Sequence, residues 1–391
     1  MLDKRPNDLQ LITETNALSA LCRQLRASPY VAADTEFMRE STYWPNLCLI
    51  QLAAPGIAAI VDPLSPGLDL APFYELMADK GVTKVFHAAR QDIEIVHHAA
   101  GIIPDPLFDT QVAAMVCGFG EAVSYSALVK QITGRNHDKT SRYTDWSHRP
   151  LSERQLIYAL GDVTHLRDVY IELQRRLDKA GRVHWLSDEM AMLTNPATYE
   201  TAPEDAWKRL KLRVRTPQAQ AIAMEVAAWR ERQAQALNVP RSRIIKDEAI
   251  IDLAAQAPRT LQDLAKLRSF NEGIAKSQRG RDLIELVERA LSRDLSTLTP
   301  AMQPQCLPPS AAAVAELLRV LLKAVAAKHG VAAKLIATSE ELDKIALHGE
   351  ADVPAMKGWR RELFGEAALA LRNGRLAITM KGGEVHLQTL G

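Results

Sequence analysis

The stretch YVAADTEFMRE, residues 30–40, decides the fold and raises the question of the chemistry. Its first half is apolar and predicts the end of a buried strand. Asp34 and Glu36 then follow with one residue between them. Because side chains at positions i and i+2 of a strand point to the same face, these carboxylates repel each other unless a cation separates them. Hard Mg²⁺ or Mn²⁺ prefers such oxygen ligands. Taken alone the pair is a weak signal, since acids are common at solvated strand ends.

Short apolar runs alternate with helical patterns on either side of this stretch, over roughly the first 180 residues. Strands that alternate with helices indicate an α/β domain with a covered sheet. The early strands are closely spaced, which permits hairpins, so we predict a mixed sheet. Ser152 and Gln155 form a capping-box start for the longest helix. The predicted strands are 30–34, 47–54, 57–62 and 83–88, and the predicted helices are 16–27, 71–79, 90–100, 111–117, 124–132 and 151–180.

The composition is that of an ordinary globular protein of two or three domains, with 391 residues, 47% of them hydrophobic and 24% charged. No apolar run approaches the roughly 20 residues that a membrane helix needs. The four cysteines are scattered and form no Cys-x-x-Cys pair. This pattern argues against a zinc site or a disulfide framework and predicts a cytoplasmic protein.

The charge is distributed unevenly although the net charge is only +1. Residues 1–206 carry 19 basic and 27 acidic side chains, whereas residues 207–289 carry 17 basic and 10 acidic ones. A metal-dependent acidic site beside a module that binds a polyanion would give this distribution. Two independently folded domains with unrelated surfaces would give it too, and charge alone does not separate these explanations.

The pattern in the second half of the chain predicts two helical segments. A proline-containing linker precedes each of them, at 194–204 and 298–310. The segments resemble copies of one another, because residues 237–254 and 329–346 share the order and spacing of their apolar positions. In this alignment Ile244 and Ile245 match Leu335 and Ile336, and one inserted residue restores the register for the next helix. A chance match between short helices of similar composition is the alternative. The predicted helices are 218–237, 247–256, 260–266, 280–292, 311–329, 339–347 and 358–372.

Two further acids stand at positions with a possible chemical role. Asp92 falls in the first turn of the helix that follows strand 83–88, where an acid also favours the helix dipole. Tyr158 and Asp162 are four residues apart on the long helix and share one face. Their surroundings are mostly apolar, and a buried acid needs a partner or a metal. A solvated face would explain this pair as well.

The acids of residues 34–36, Asp92, and the pair Tyr158 and Asp162 occur in an order that resembles the DEDD exonucleases of the subclass that carries a tyrosine. The surrounding sequence is similar to the ribonuclease D family over about residues 8–180. The later helical segments resemble the HRDC domain, the second more distantly than the first. The implied fold is an α/β ribonuclease H-like exonuclease domain with a mixed central sheet, followed by two all-α HRDC-type domains. The implied domains span residues 1–195, 205–295 and 308–391. The resemblance is carried by DTEFMRESTYWPNLCLIQLA (34–53), FHAARQDIEIV (86–96), FDTQVAA (108–114) and DKTSRYTDWSHRPLSERQLIYALGDVTHL (138–166).

This resemblance implies a two-metal-ion 3′→5′ exoribonuclease. Two divalent ions, Mg²⁺ or Mn²⁺, are expected on Asp34, Glu36, Asp92 and Asp162, with Tyr158 orienting the attacking water. The implied substrates are tRNA precursors and other small structured RNAs, and no membrane or obligatory protein partner is expected. A DNA exonuclease with the same chemistry and an inactive RNA-binding scaffold are the alternatives.

Four residues are candidate RNA contacts. Phe37 could stack on a terminal base, although a core phenylalanine at a strand end is as plausible. His87 could approach the site or serve as a structural histidine. Lys139 and Arg149 lie in a loop before the long helix and are candidate phosphate contacts. His165 stands where the family often has tyrosine, and we expect it to pack rather than to catalyse.

Overall fold

The computed structural model describes residues 10–137, 140–141, 144–210, 216–298 and 307–390. Within these ranges the chain divides into two compact units. The domain limits inferred above stay predictions. The compact units do not coincide with these predicted domains. The segment after Glu36 belongs to unit 2, and the C-terminal segment belongs to unit 1. Unit 1 comprises Met1–Glu36, Leu47–Asn195 and Cys306–Gly391, and unit 2 comprises Phe37–Asn46 and Pro196–Gln305.

A six-stranded sheet lies at the centre of unit 1, in the order β1-β4-β3-β2-β5-β6. The prediction of a mixed sheet is confirmed, because β3 runs antiparallel to β4 while β1–β4, β2–β5 and β5–β6 are parallel pairs. Strands β1 and β6 were not predicted from the sequence. Each has only three residues, which is too few to form a recognisable strand pattern. The strands are β1 (Gln10–Ile12), β2 (Tyr30–Met38), β3 (Asn46–Ala54), β4 (Ile57–Val61), β5 (Thr83–Phe86) and β6 (Leu107–Asp109).

Helices cover this sheet, and the longest of them supplies part of the core. In α6 the side chains of Val163, Leu166 and Val169 are buried in one apolar cluster with Ala32 of β2 and Val85 of β5. The capping box predicted at the start of α6 is present, so local chemistry sets where this helix begins. The helices are α1 (Thr15–Arg26), α2 (Ala71–Ala78), α3 (Arg90–Ala100), α4 (Thr110–Val116), α5 (Tyr125–Thr133), α6 (Glu153–Ala180) and α7 (Ser187–Leu193).

Unit 2 is helical and includes Phe37–Asn46, which comprises the end of β2 and the segment that follows it. Tyr43 of this segment donates a hydrogen bond from its hydroxyl to the fully buried Glu231, and the Arg241 guanidinium binds the same carboxylate through two N–H groups, each at 2.6 Å. The backbone N–H groups of Tyr43 and Trp44 donate to Oδ1 of Asn238. The helices are α8 (Pro217–Leu237), α9 (Arg241–Ile244), α10 (Asp247–Gln256), α11 (Leu261–Lys266), α12 (Glu272–Lys276) and α13 (Gln278–Ser292).

The C-terminal helices share the apolar core of unit 1. The rings of Trp185 and Trp359 stack 4.3 Å apart with an interplanar angle of 5°. The buried Arg360 pairs with Asp188 at 2.8 Å and with Glu189 at 2.5 Å, which ties these helices to α7. The elements are α14 (Pro309–His329), α15 (Ala333–Ile336), α16 (Ser339–His348), α17 (Gly358–Arg360), a π-helical turn (Arg361–Gly365), α18 (Glu366–Arg372), β7 (Leu376–Lys381) and β8 (Glu384–Thr389).

The prediction of an all-α C-terminal domain is wrong at its end. Strands β7 and β8 pair antiparallel as a hairpin. Gly382 and Gly383 form its two-residue turn with φ angles of +62° and +86°, which glycine adopts without strain. A Gly-Gly pair between two alternating segments is the local signal for such a hairpin.

The two helical segments have matching architecture. In each, a 21-residue helix is followed by a 4-residue and then a 10-residue helix. The corresponding helices start 92 residues apart throughout, so the inserted residue of the sequence alignment is not needed. The structure pairs Ile244 with Ile336 rather than with Leu335. Leu335 and Ile336 are both apolar and buried, which is why the sequence alone fitted either register.

Candidate active site

The acidic cluster is built by one strand and one helix that are far apart in the sequence. Strand β2 carries Asp34 and Glu36 directly after four buried residues, and α6 carries Asp162. Carboxylate oxygens of these three residues lie within 4.8 Å of one another. The central position of β2 between β3 and β5 explains why its acids reach a helix that packs across the sheet.

Asp92 lies beside this cluster and is connected to it through Thr35. It stands in the first turn of α3, is 6% exposed, and accepts a hydrogen bond from the Thr35 hydroxyl at 2.5 Å. Thr35 separates the two acids of β2 in the sequence, so one strand both supplies two carboxylates and holds a third. Asp92 is not part of the group of three acids whose oxygens lie within 4.8 Å of one another. It therefore occupies a position of its own beside that group.

The electrostatics of the cluster show an excess of negative charge. Burial raises the pKa of Asp34 well above its usual value, and the charges of Asp162, Asp92 and Glu36 raise it further. Burial also raises the pKa of Asp92 to about 7, against the opposing effect of the Thr35 hydrogen bond. A divalent cation would relieve this repulsion, and the donors are the hard carboxylate oxygens that Mg²⁺ and Mn²⁺ prefer. The residues therefore fit divalent metal ions.

Tyr158 lies on the face of α6 that carries Asp162, one turn earlier in the helix. Its ring centroid is 5.2 Å from that of His137 and 5.9 Å from that of Trp146. Trp146 is 2% exposed, which indicates a structural role for its ring. The tyrosine is thus held by packed rings at the edge of the acidic cluster.

His137 is a site residue that the sequence patterns did not identify. Its Nε2 lies 3.0 Å from Oδ1 of Asp162, and its side chain is 6% exposed. It lines, with Tyr158 and His165, a groove of about 540 Å³. The available signal was Gly161, since a glycine inside a helix often marks a close approach. A Cβ at this position would lie 3.4 Å from the His137 ring.

Arg149 has a structural role and is not available to a phosphate. Its Nε and one terminal nitrogen donate to the two carboxylate oxygens of Asp62, at 2.8 and 2.7 Å. The remaining N–H groups donate to the backbone carbonyls of Cys48, Trp146 and His148. These contacts use all five guanidinium donors. These contacts favour a structural role for Arg149 over the predicted phosphate contact.

The other three candidate RNA contacts have different outcomes. Phe37 is half-buried and follows Glu36 on β2. His87 is half-buried, its Nδ1 lies 3.0 Å from the Thr110 hydroxyl, and burial lowers its pKa. These features favour the structural explanation for His87. Lys139 lies outside the described residues.

Comparisons with known proteins identify the families that this chain resembles. A profile described as 3′-5′ exonuclease matches residues 9–178, and the HRDC domain profile matches residues 219–287. Curated proteins named ribonuclease D, from Nitrobacter hamburgensis and Bartonella henselae, are 54% and 47% identical to this chain. The alignments cover 96% and 98% of this chain and 98% and 94% of the relatives. In the described part of the chain, no helix is long and apolar enough to cross a membrane.

The solved structures that resemble this chain also include a ribonuclease D. The crystal structure of Escherichia coli RNase D, described as an exoribonuclease involved in structured RNA processing, is 30% identical with a TM-score of 0.82. That match covers 93% of this chain and 99% of the other. The catalytic core of RRP6 from Trypanosoma brucei shares the fold at 22% identity, with a TM-score of 0.55 over 74% of this chain and 80% of that one. With near-complete coverage at up to 54% identity, the chain belongs to the ribonuclease D family.

Proposed function

We propose that this protein trims the 3′ ends of tRNA precursors and other small structured RNAs, one nucleotide at a time, in the cytoplasm. It does so as a 3′→5′ exoribonuclease of the tyrosine-carrying DEDD subclass and releases nucleoside 5′-monophosphates. The observation that carries the proposal is the convergence of Asp34, Glu36 and Asp162 within 4.8 Å, with Tyr158 on the same helix face as Asp162. Family membership supports the reaction, phosphodiester hydrolysis.

The proposed site holds two divalent ions, Mg²⁺ or Mn²⁺. When bound, such ions make hydroxide available near neutral pH and stabilise charge on the leaving oxygen. Asp34, Glu36 and Asp162 converge closely enough to share one ion, with Asp34 also serving the second. Asp92, held by Thr35, completes the second position. This division follows the geometry, in which Asp92 stands beside the cluster of three.

Tyr158 has the role of orienting the attacking water. An ordinary phenol keeps its proton near neutral pH and is a poor general base, but its hydroxyl donates and accepts hydrogen bonds. The packed rings of His137 and Trp146 limit the positions that the Tyr158 ring can take. Orientation of this kind acts by raising the fraction of productive encounters rather than by proton transfer.

The helical segments are proposed to be two HRDC domains that contribute RNA affinity. The matching helix lengths support the duplication, and the profile match supports the first copy. The excess of basic residues over positions 207–289 supports phosphate contacts that are salt-sensitive and independent of sequence. Residues 211–215 of the basic stretch lie outside the described residues.

Cleavage of a tRNA with a 3′ extension tests the activity. Incubation with Mg²⁺ or Mn²⁺ should give a ladder of products that shorten by one nucleotide, and Asp34→Asn should abolish it. Asp168→Asn is the matched control, because Asp168 is on the same helix as Asp162 and is exposed. A matched DNA oligomer distinguishes the DNA exonuclease alternative. Unchanged RNA length with either metal would support the inactive scaffold and refute the proposal.

RNA binding by unit 2 is better tested by charge substitution than by truncation. Deleting everything after residue 205 would remove helices that share the core of unit 1. Exposed cations of unit 2, such as Arg243, Arg259 and Arg268, can be changed together to glutamine. Affinity for structured RNA and its salt dependence should fall, while cleavage of a short oligomer stays unchanged. Unchanged affinity and salt dependence would contradict this role.

A further inference from the structure

One contact of the acidic cluster comes from His137, which is neither a proposed metal ligand nor the proposed water-orienting residue. His137 lies in the loop after α5 and brings its Nε2 to 3.0 Å from Oδ1 of Asp162. Both side chains are almost fully removed from solvent, at 6% and 10% exposure. A hydrogen bond in such surroundings is not weakened by competing water, so it restricts the carboxylate strongly.

Neighbouring rings pack against the imidazole of His137. Its ring centroid is 5.1 Å from that of Tyr125 in an edge-on arrangement and 5.2 Å from that of Tyr158. The imidazole packs against α6 at Gly161, where a Cβ would lie in contact with the ring at 3.4 Å. The Tyr125 hydroxyl also donates to the backbone carbonyl of Asp162. The backbone and the side chain of this ligand are therefore each held by a neighbouring group.

We propose that His137 is a positioning residue that holds the Asp162 carboxylate in the orientation required for the divalent ion. The inference rests on the proposed two-metal function. Nε2–H donates to Oδ1, which reduces the freedom of the carboxylate and lowers the cost of ordering it when the ion binds. Outer hydrogen bonds of this kind usually contribute 10- to 100-fold to metal affinity or activity. In this role His137 acts through Asp162 and is not itself a metal ligand.

Two substitutions separate hydrogen bonding from packing. His137→Leu keeps much of the ring volume but removes the donor, whereas His137→Gln places an amide N–H near the position of Nε2. Manganese binding to the full-length protein is measured by calorimetry, alongside single-nucleotide release as a function of Mn²⁺ concentration. His165→Leu is the matched control, because His165 lines the same groove with its ring centroid 6.0 Å from that of His137.

His137→Leu should raise the Mn²⁺ dissociation constant about 10- to 100-fold, and saturating Mn²⁺ should recover much of the activity. His137→Gln should bind within about threefold of wild type, since it restores the donor, and His165→Leu should bind as wild type. Equal weakening by Leu and Gln, or none by Leu, overturns the proposal. If instead Asp34→Asn binds Mn²⁺ as wild type does, the proposed two-metal function is wrong.

Discussion

Replacing Asp92 with asparagine should stabilise the metal-free protein at alkaline pH, even though it removes a proposed metal ligand. Burial raises the pKa of this carboxyl from 3.8 to about 7 in the folded protein. Asparagine has nearly the same shape, stays neutral at every pH, and keeps an oxygen that can accept the Thr35 hydrogen bond. The substitution therefore isolates the cost of the buried charge.

The sign and size follow from proton linkage. Below the unfolded pKa, Asp92 is protonated in both states and costs nothing. As the pH rises toward the folded pKa, the unfolded chain releases the proton while the folded chain keeps it, so folding stability is lost. The loss is complete above about pH 7 and is on the order of 4 kcal/mol, from roughly three units at 1.36 kcal/mol each. Between pH 5 and pH 8 the gap between variant and wild type should widen by about 3 kcal/mol.

The assay is urea denaturation in EDTA at pH 5 and pH 8, with hydrogen exchange at the amides of α3 reporting on unit 1. Asp168→Asn serves as the control for loss of an exposed carboxylate. Added Mn²⁺ at pH 8 should reverse the order, because wild type then gains binding energy that the variant lacks. The reasoning is refuted if Asp92→Asn is no more stable than wild type at pH 8 in EDTA, or if the gap does not depend on pH.

Three further outcomes are expected. Tyr158→Phe should lower single-turnover cleavage about 100-fold, because the attacking water is less well oriented. Mn²⁺ binding measured by calorimetry should stay unchanged, and weakened Mn²⁺ binding would contradict an orienting role. Arg149→Gln should lower the melting temperature, because it leaves the Asp62 carboxylate without its paired donors, and RNA affinity measured on the folded variant should stay that of wild type. Arg241→Met should destabilise unit 2 by about 3 kcal/mol, measured by urea denaturation, because Glu231 is left as a buried charge with fewer partners. A change below about 1 kcal/mol would mean that the buried network is not cooperative.

The sequence predicted the elements whose signals lie among neighbouring residues. The capping box of Ser152 and Gln155 marked the start of α6, and short apolar runs bounded by turn residues marked four of the strands. The order of the acids, with Tyr158 four residues before Asp162, identified the cluster and the family resemblance. The capping box, the strand runs and the spacing of Tyr158 and Asp162 each lie in a short window of chain, whereas the order of the acids is read along the chain, so a single sequence was enough to find them.

Other features depend on residues that meet only after folding. His137 and Asp162 are 25 positions apart, and neither position alone indicates their hydrogen bond. Arg149 lies in the loop that the sequence associated with RNA, but its partner Asp62 comes from the end of β4, so only the packed structure shows that its donors are occupied.

The grouping of the chain was also decided by tertiary packing. The sequence predicted the longer helices, but not the short helices α7, α9, α12 and α15, and the lengths of α8 and α14 are equal, as the predicted duplication requires. It did not determine that residues after 306 share a core with the first domain or that the segment containing Tyr43 packs with unit 2. Helix formation depends on contacts three and four residues apart, whereas these associations depend on the shapes of apolar surfaces brought together from distant parts of the chain.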